Sequence, residues 1–248
     1  MEYRGSGLYD DELFFNRYQE RRRWSENAND TIEKPIILQL IGDVTGRKVL
    51  DLGCGDASFG NHLLDLGAAS YTGIEGSENM VAAAEKTLHR ANTSIIHTTI
   101  EEWDFPDSQY DLAVSRLVLH YIQDIESTFK KVYQTLIDGG SFVFSIEHPV
   151  ITSSYGIPRE DGMKQDWVVD QYFHTGIRKQ TWLGAAATKY HRTIEDIFSA
   201  LQQVGFHVKN LRESRPDQAN FENIETYERR MRIPLFLFFS AEKKQVHF

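Results

Sequence analysis

Between residues 49 and 56 the chain reads Val-Leu-Asp-Leu-Gly-Cys-Gly-Asp. A short apolar run closed by glycines is a buried strand entering a tight turn. Glycine in such a turn lets a ligand approach the backbone closely. A helix over 57–65 follows, and the free N–H groups of its first turn face a polar or anionic part of that ligand. Glu75 lies 20 residues beyond Gly55, at the end of the next strand. A carboxylate there can accept both hydroxyls of a ribose. These residues describe a nucleoside-bearing ligand lying across the C-terminal ends of the strands.

Detail narrows the ligand. Ser58 stands where a dinucleotide fingerprint requires its third glycine. Asp51, on the strand side of the turn, would repel a pyrophosphate and suits an ammonium group instead. S-adenosylmethionine carries an ammonium, a sulfonium and a ribose, so the spacing favours it over NAD. The bland alternative is a glycine turn with no ligand. Three histidines are candidate general bases: His120 in RLVLHYIQD, His148 in SIEHP and His191 in TKYHRT. The first two follow strand ends, where open α/β sheets place ligands. Holding a loop by hydrogen bonds is an equally good role for each. His62, His89 and His97 fall away from that rim and read as surface or packing residues. Without HxH, HExxH or 2-His-1-carboxylate spacing, no metal site is expected. Cys54, the single cysteine, reads as a small buried turn residue and excludes a disulfide framework.

The elements that position these groups alternate regularly. Strands are expected at 48–53, 70–75, 94–98, 110–115 and 141–146, with helices at 57–65, 78–89 (capped by Ser77) and 125–136, the last closed by Asp138-Gly139-Gly140. This rhythm implies parallel pairing with helices on both faces. Two helices precede it, over 11–23 and 31–41, with Pro35 in the first turn of the second. From Glu147 to Tyr190 the rhythm breaks for more than 40 residues, a length typical of a lid or binding insertion. Its aromatics, with others on the rim, offer an apolar wall for an acceptor: Tyr121, Tyr155, Trp167, Tyr172, Phe173, Trp182 and Tyr190. Thr193 and Asp196 form a capping-box pattern for a helix ending at Gly205. A strand over 206–211, a charged helix over 215–232 and an apolar strand over 234–240 follow, the two strands read as an antiparallel edge pair.

The 248 residues are 41% hydrophobic with a net charge of −9, a globular composition that argues against nucleic-acid or anionic-membrane partners. No run of about 18 apolar residues occurs and the N-terminus lacks a secretory pattern. The expectation is one cytoplasmic domain, 1–248: N-terminal cap helices to 34, a cofactor-binding core over 46–148, a lid over 149–190 and the final helix and strands over 191–248.

Residues 48–146 resemble a class I S-adenosylmethionine-dependent methyltransferase. VLDLGCGDASFG, YTGIEGSENM, FPDSQYDLAVSRLVLHYIQD and LIDGGSFVFSIEHP match the family's first, second, fourth and fifth strand motifs in order. SIEHP, TWLGAAATKYHRT and IPLFLFFSAEK resemble a narrower group of bacterial small-molecule enzymes of the ubiquinone/menaquinone-methyltransferase-like type. The resemblance implies a Rossmann-like doubly wound sheet of seven strands, order 3-2-1-4-5-7-6, with one antiparallel strand. It implies S-adenosylmethionine as cofactor and S-adenosylhomocysteine as product. Carried over by position, Asp51, Gly53, Cys54 and Gly55 line the methionine part. Glu75 holds the ribose, with Gly76, Ser77 and Met80 near the adenine. Thr99 stands where the family often has an acid for the adenine amino group, so Ile100 or Glu101 is the alternative contact. Ser115 and Arg116 face the sulfonium side. Tyr9, Phe15 and Tyr18 close over the cofactor or simply pack, and Asn27 and Glu33 lie near the ammonium. The expected reaction is in-line methyl transfer to a small molecule. Methylation of RNA or protein, or cofactor binding without catalysis, are the alternatives.

Overall fold

The computed structural model describes residues 3–153 and 167–244. A two-residue strand β1 (Tyr3–Arg4) leads through a 3-10 segment (Gly5–Asp10) into α1 (Glu12–Arg23), where the Asp11 side chain caps the helix by accepting from Phe14 N. A π-helical turn over Asn29–Glu33 runs into α2 (Lys34–Ile41), with Pro35 in its first turn. The alternating core is β2 (Lys48–Leu52), α3 (Ser58–Asp65), β3 (Ser70–Glu75), α4 (Glu78–Thr87), β4 (Thr93–His97), β5 (Tyr110–Arg116), α5 (Ile125–Thr135) and β6 (Leu136–Glu147). Then come α6 (Pro149–Thr152), β7 (Gly176–Trp182), β8 (Ala185–His191), α7 (Ile194–Val204), β9 (Phe206–Glu213), α8 (Ile224–Met231) and β10 (Phe236–Lys243).

The main sheet has seven strands in the order β4-β3-β2-β5-β6-β10-β9. Counted within the sheet this is 3-2-1-4-5-7-6, as the resemblance implies. β2 to β6 pair in parallel, and β10 runs antiparallel to both β6 and β9. Successive residues of a strand face opposite sides, and the two cores follow from that. Phe142 and Phe144 of β6 and Phe239 of β10 pack on one face with Phe129 of α5. Val143 and Phe238 pack on the other with Ile37 of α2 and Leu63 of α3. Register places Phe239 opposite Phe144, with their rings stacked 5.3 Å apart.

Three elements depart from the sequence expectation. β6 starts at Leu136 instead of Ser141, because Leu136 already pairs with Tyr110 and the Asp138-Gly139-Gly140 stretch is absorbed as an irregularity in the strand. The charged segment after β9 begins as irregular chain with a short 3-10 segment (Gln218–Asn220), and α8 occupies only its last part. The insertion is not irregular throughout: β7 and β8 form an antiparallel hairpin, and β1 adds to β8 in parallel. Besides Ala187, the hairpin's buried positions carry Arg178, Thr188, Lys189 and His191. Polar residues at core-facing positions hide the strand alternation that hydrophobicity would reveal. Tyr155 lies outside the described residues.

Candidate active site

β2 delivers Asp51 to the rim, and the chain reverses through Gly53 (φ +76) and Gly55 (φ +57). A side chain at Gly53 would strike Val118, 2.4 Å from its Cβ position. Gly53 N and Cys54 N both donate to Ile74 O. α3 begins after Ala57, which is left-handed and has no side chain to cap the helix. Ser58 N donates to Asp56 Oδ1 at 3.1 Å, and the next amides of that turn have no side-chain cap. Cys54 Sγ occupies the space that a Cβ on Gly73 would take, 2.6 Å away. Burial pushes its thiol well above the ordinary range, so it is no nucleophile.

Asp51 is 2% exposed. Its Oδ2 accepts from the Tyr71 hydroxyl at 2.7 Å, while the buried Oδ1 has no hydrogen-bond partner. Tyr71 reaches it by crossing α3 at Gly60, where any Cβ would lie 2.2 Å from the ring. Burial raises the Asp51 carboxyl to about 6, against the pull of Tyr71 and Arg116. An ionised carboxylate with an unfilled oxygen in a dry position demands a cation or donor. An ammonium supplies both, so the site fits the methionine end of S-adenosylmethionine.

Glu75 is buried at the end of β3. Its Oε2 accepts from Gly55 N and its Oε1 from Ser77 N, each at 2.9 Å. Burial raises its pKa although these amides oppose the shift. Ser77 caps α4 by accepting from Met80 N, and Met80 is buried. The N-terminal segment lies directly on this corner. Ser6 Oγ sits 2.4 Å from where a Gly76 Cβ would be. Asp10 Oδ1 accepts from Ser77 Oγ at 2.7 Å and Asn79 N at 3.2 Å, and Asn79 Nδ2 donates to Tyr9 O. Thr99 approaches Gly76 with its methyl group and turns its hydroxyl to Glu102. Ile100 is buried, whereas the Glu101 side chain is exposed and its carbonyl takes Lys131 Nζ.

Ser115 is fully buried and donates to Leu52 O at 2.9 Å, tying β5 to β2. Arg116 pairs with Glu33, with Arg116 Nε 3.0 Å from Glu33 Oε2, and its guanidinium lies 4.1 Å over the Phe59 ring. Glu33 is 0% exposed and also accepts from Ser145 Oγ at 2.7 Å. Glu33 is thus committed to Arg116 and Ser145. Asn27 is committed to Arg22, Asp30 and the carbonyl of Trp24.

Above the rim, Tyr9, Phe14, Tyr18 and Trp182 form an edge-to-face cluster, with Tyr9 5.0 Å from Tyr18 and Phe14 5.2 Å from Trp182. Phe14 and Tyr18, four apart, share one face of α1. That spacing puts Phe14, not Phe15, in the cluster. Burial raises the Tyr18 hydroxyl, with Arg22 opposing the shift. Burial raises the hydroxyls of Tyr9 and Tyr121, which neighbour each other, well above the ordinary range. Arg17 ties α1 to the hairpin turn through Leu183 O. Beside Tyr121 and Trp182 lies Lys189, 3% exposed, with Nζ 2.6 Å from Glu147 Oε1 and under 6 Å from both ring centroids. Sequence reading passed over both Lys189 and Glu147.

Of the other expected wall residues, Phe173 points outward at 85% exposure. Trp167 packs on Arg232, Tyr190 bonds Gln123, and Tyr172 stacks edge-on to His191. The three histidines do not converge. His148 caps α6, its Nδ1 accepting from Val150 N, so Nε2–H donates to Glu213 at 3.0 Å. His191 Nε2–H donates to Tyr172 O, and its Nδ1 accepts from Thr152, each at 2.8 Å. Both rings are thereby saturated. His120 accepts from Glu147 N at 3.3 Å, and burial lowers it to about 4. It is neutral with its proton on Nε2. Among the described residues no cluster of three or more His, Cys, Asp or Glu suits a metal.

A doubly wound sheet with a glycine turn after its first strand and an acid ending its second defines an α/β enzyme for a nucleoside cofactor. A family model described as a methyltransferase domain matches residues 50–144. The crystal structure of an S-adenosylmethionine-dependent methyltransferase from Mesorhizobium loti is similar over 85% of this chain and 97% of its own, at 31% identity and a TM-score of 0.77. A Listeria monocytogenes protein assigned to the same class is 32% identical, covering 86% of this chain and 97% of its own, with a TM-score of 0.79. An uncharacterised protein of Haemophilus influenzae is 32% identical over 95% of this chain and 96% of its own. The chain belongs to the S-adenosylmethionine-dependent methyltransferases, and S-adenosylmethionine is its cofactor. No helix among the described residues is long and apolar enough to cross a membrane.

Proposed function

We propose that the enzyme methylates a small molecule held between the strand rim and the aromatic cap. The observation that carries this reading is the joining of the cap to the cofactor corner. The N-terminal segment is latched to α4 through Asp10, and the hairpin is latched to the N-terminal segment through β1 and Arg17. A cap tied down at both places suits an acceptor that can be enclosed.

Asp51 Oδ1 receives the methionine ammonium, and Gly55, where a Cβ would meet nothing within 4 Å, leaves room at the turn for the carboxylate end. Glu75 takes the ribose hydroxyls on the lone pairs its two amide donors leave free. Met80 and Ile100 pack the adenine, with Thr99 at its edge. Arg116 neutralises Glu33, which also accepts from the Ser145 hydroxyl, so this ion pair adds no net charge near Asp51. Tyr9, Tyr18 and Tyr121 present aromatic faces and edges to a cationic centre and exclude water. When bound, the cofactor supplies a methyl group on a sulfonium that is already a good leaving group. The protein's contribution is therefore mainly alignment, for which effective molarities reach about 10⁵–10⁸ M.

His148 and His191 hold the cap and strand ends. His120 offers an Nε2–H donor that can orient an acceptor oxygen or nitrogen. Where the acceptor must lose a proton, Glu147 at the end of β6 is the nearest carboxylate, with its charge balanced by Lys189. The test is release of S-adenosylhomocysteine when a small-molecule cell extract is added. Methyl incorporation into RNA or protein pools, with none in the small-molecule extract, would overturn this reading.

A further inference from the structure

The last turn of α1 and the body of α8 bring together arginines that no carboxylate among the described residues pairs. α8 docks on the α1–α2 connection: Glu26 Oε1 accepts from Glu222 N at 2.8 Å and from Asn223 N at 2.6 Å, and Asn220 Nδ2 donates to Thr31 O. This docking carries Arg229 and Arg230 toward Arg21. Arg230 is only 9% exposed, and its Nε is fully buried with no hydrogen-bond partner. Among the described residues, none of Arg21, Arg229 and Arg230 has a carboxylate within ion-pair distance. Glu26, the acid that acts on Arg230, is already occupied by the amides of α8.

The three charges oppose one another. Burial, then Arg229 and Arg21, lower Arg230 to about 10. Arg21 is lowered too, by burial and then by Arg229, with Glu147 and Tyr18 opposing the shift. Arg21 lies exposed in the last turn of α1, the helix whose Phe14 and Tyr18 join the aromatic cap, so the cluster lies at the edge of the acceptor region. Clustered guanidinium groups without counter-charges are unfavourable on their own, and each has a planar fork matched to an oxyanion.

We propose that Arg21, Arg229 and Arg230 form an anion subsite that holds a phosphate or carboxylate group of the methyl acceptor. The proposal rests on the small-molecule reading and narrows it to an acidic acceptor. The aromatic cluster would cover the part of the acceptor to be methylated, and its anionic end would lie between α1 and α8.

The full-length protein, with S-adenosylhomocysteine bound, is titrated calorimetrically with inorganic phosphate, with succinate and with a short single-stranded RNA. Saturable binding of phosphate or succinate is expected, weakened at least about tenfold in Arg230→Gln (about 1.4 kcal/mol), with S-adenosylhomocysteine affinity unchanged. The tighter of the two anions identifies the acceptor's acidic group. Arg229→Gln and Arg21→Gln, at less buried positions, carry the same test should Arg230→Gln fail to fold. No saturable binding of either anion, or equal binding in all variants, overturns the subsite. RNA binding stronger than both and lost in the variants overturns the small-acceptor assignment. In parallel, extract fractionated by charge should release S-adenosylhomocysteine from its anionic fraction. Release only from neutral or cationic fractions overturns the anion subsite while leaving the small-molecule reading intact.

Discussion

The two halves of the active site are built differently. The cofactor half is made largely of backbone: two left-handed glycines, the uncapped first turn of α3 and the amides that grip Glu75. The cap half is made of side chains drawn from distant stretches, such as Tyr9, Trp182 and Lys189 around Tyr121. A backbone-built site depends on a few local spacings and tolerates little change. A side-chain-built site is assembled by tertiary packing, and it is the part free to vary with the acceptor.

The largest effect should come from the ion pair beneath the cofactor half. Glu33→Gln leaves Arg116 short of its buried partner and should cost about 3–5 kcal/mol, read by urea denaturation. A loss under 1 kcal/mol would mean that solvent reaches the pair. Next, Glu75→Ala should weaken S-adenosylmethionine binding about 100-fold, or about 2.7 kcal/mol, measured calorimetrically. A change under threefold would remove Glu75 from the ribose contact and would break the contrast between the halves.

Asp51 gives a pH signature. Its folded-state value of about 6 lies above the ordinary 3.8, so the native state holds the proton more tightly than the unfolded chain. Its contribution to stability is full below pH about 4 and is lost as pH rises through about 6. Cofactor binding needs the ionised form, so affinity should fall toward tenfold per pH unit below about 6. In Asp51→Asn that slope should vanish and affinity at pH 7.5 should drop about tenfold. A variant with the wild-type slope would assign the titration elsewhere. The smallest effect belongs to the cap: His191→Ala, losing bonds to Thr152 and Tyr172, should loosen the hairpin by about 1 kcal/mol. Limited proteolysis of the insertion should quicken while S-adenosylhomocysteine affinity stays within about twofold. A collapse of cofactor affinity would show the halves to be coupled.

This contrast also explains what could be read in advance. The alternation of strands and helices, the glycine turn and the position of Glu75 depend on local periodicity and on glycine's freedom at positive φ, whereas the strand order came from the family resemblance. Phe14 was readable from its spacing to Tyr18, yet Phe15 drew the attention because both are aromatic. His148 and His191 sit where bases would sit, and only their partners, Glu213 and Thr152, show their rings to be saturated. The hairpin was hidden because Arg178 and Lys189 occupy its inward positions.

By itself the chain's order of residues determined a doubly wound sheet, a nucleoside cofactor and the carboxylate meant for its ribose, since each follows from short-range geometry. The tertiary structure alone decided which charges meet. It set Glu33 against Arg116 across 83 residues and Lys189 against Glu147 across 42. It also left Arg230 buried without a partner for its Nε. Electrostatic partners are chosen by distance in space and by burial, and neither is written in local sequence.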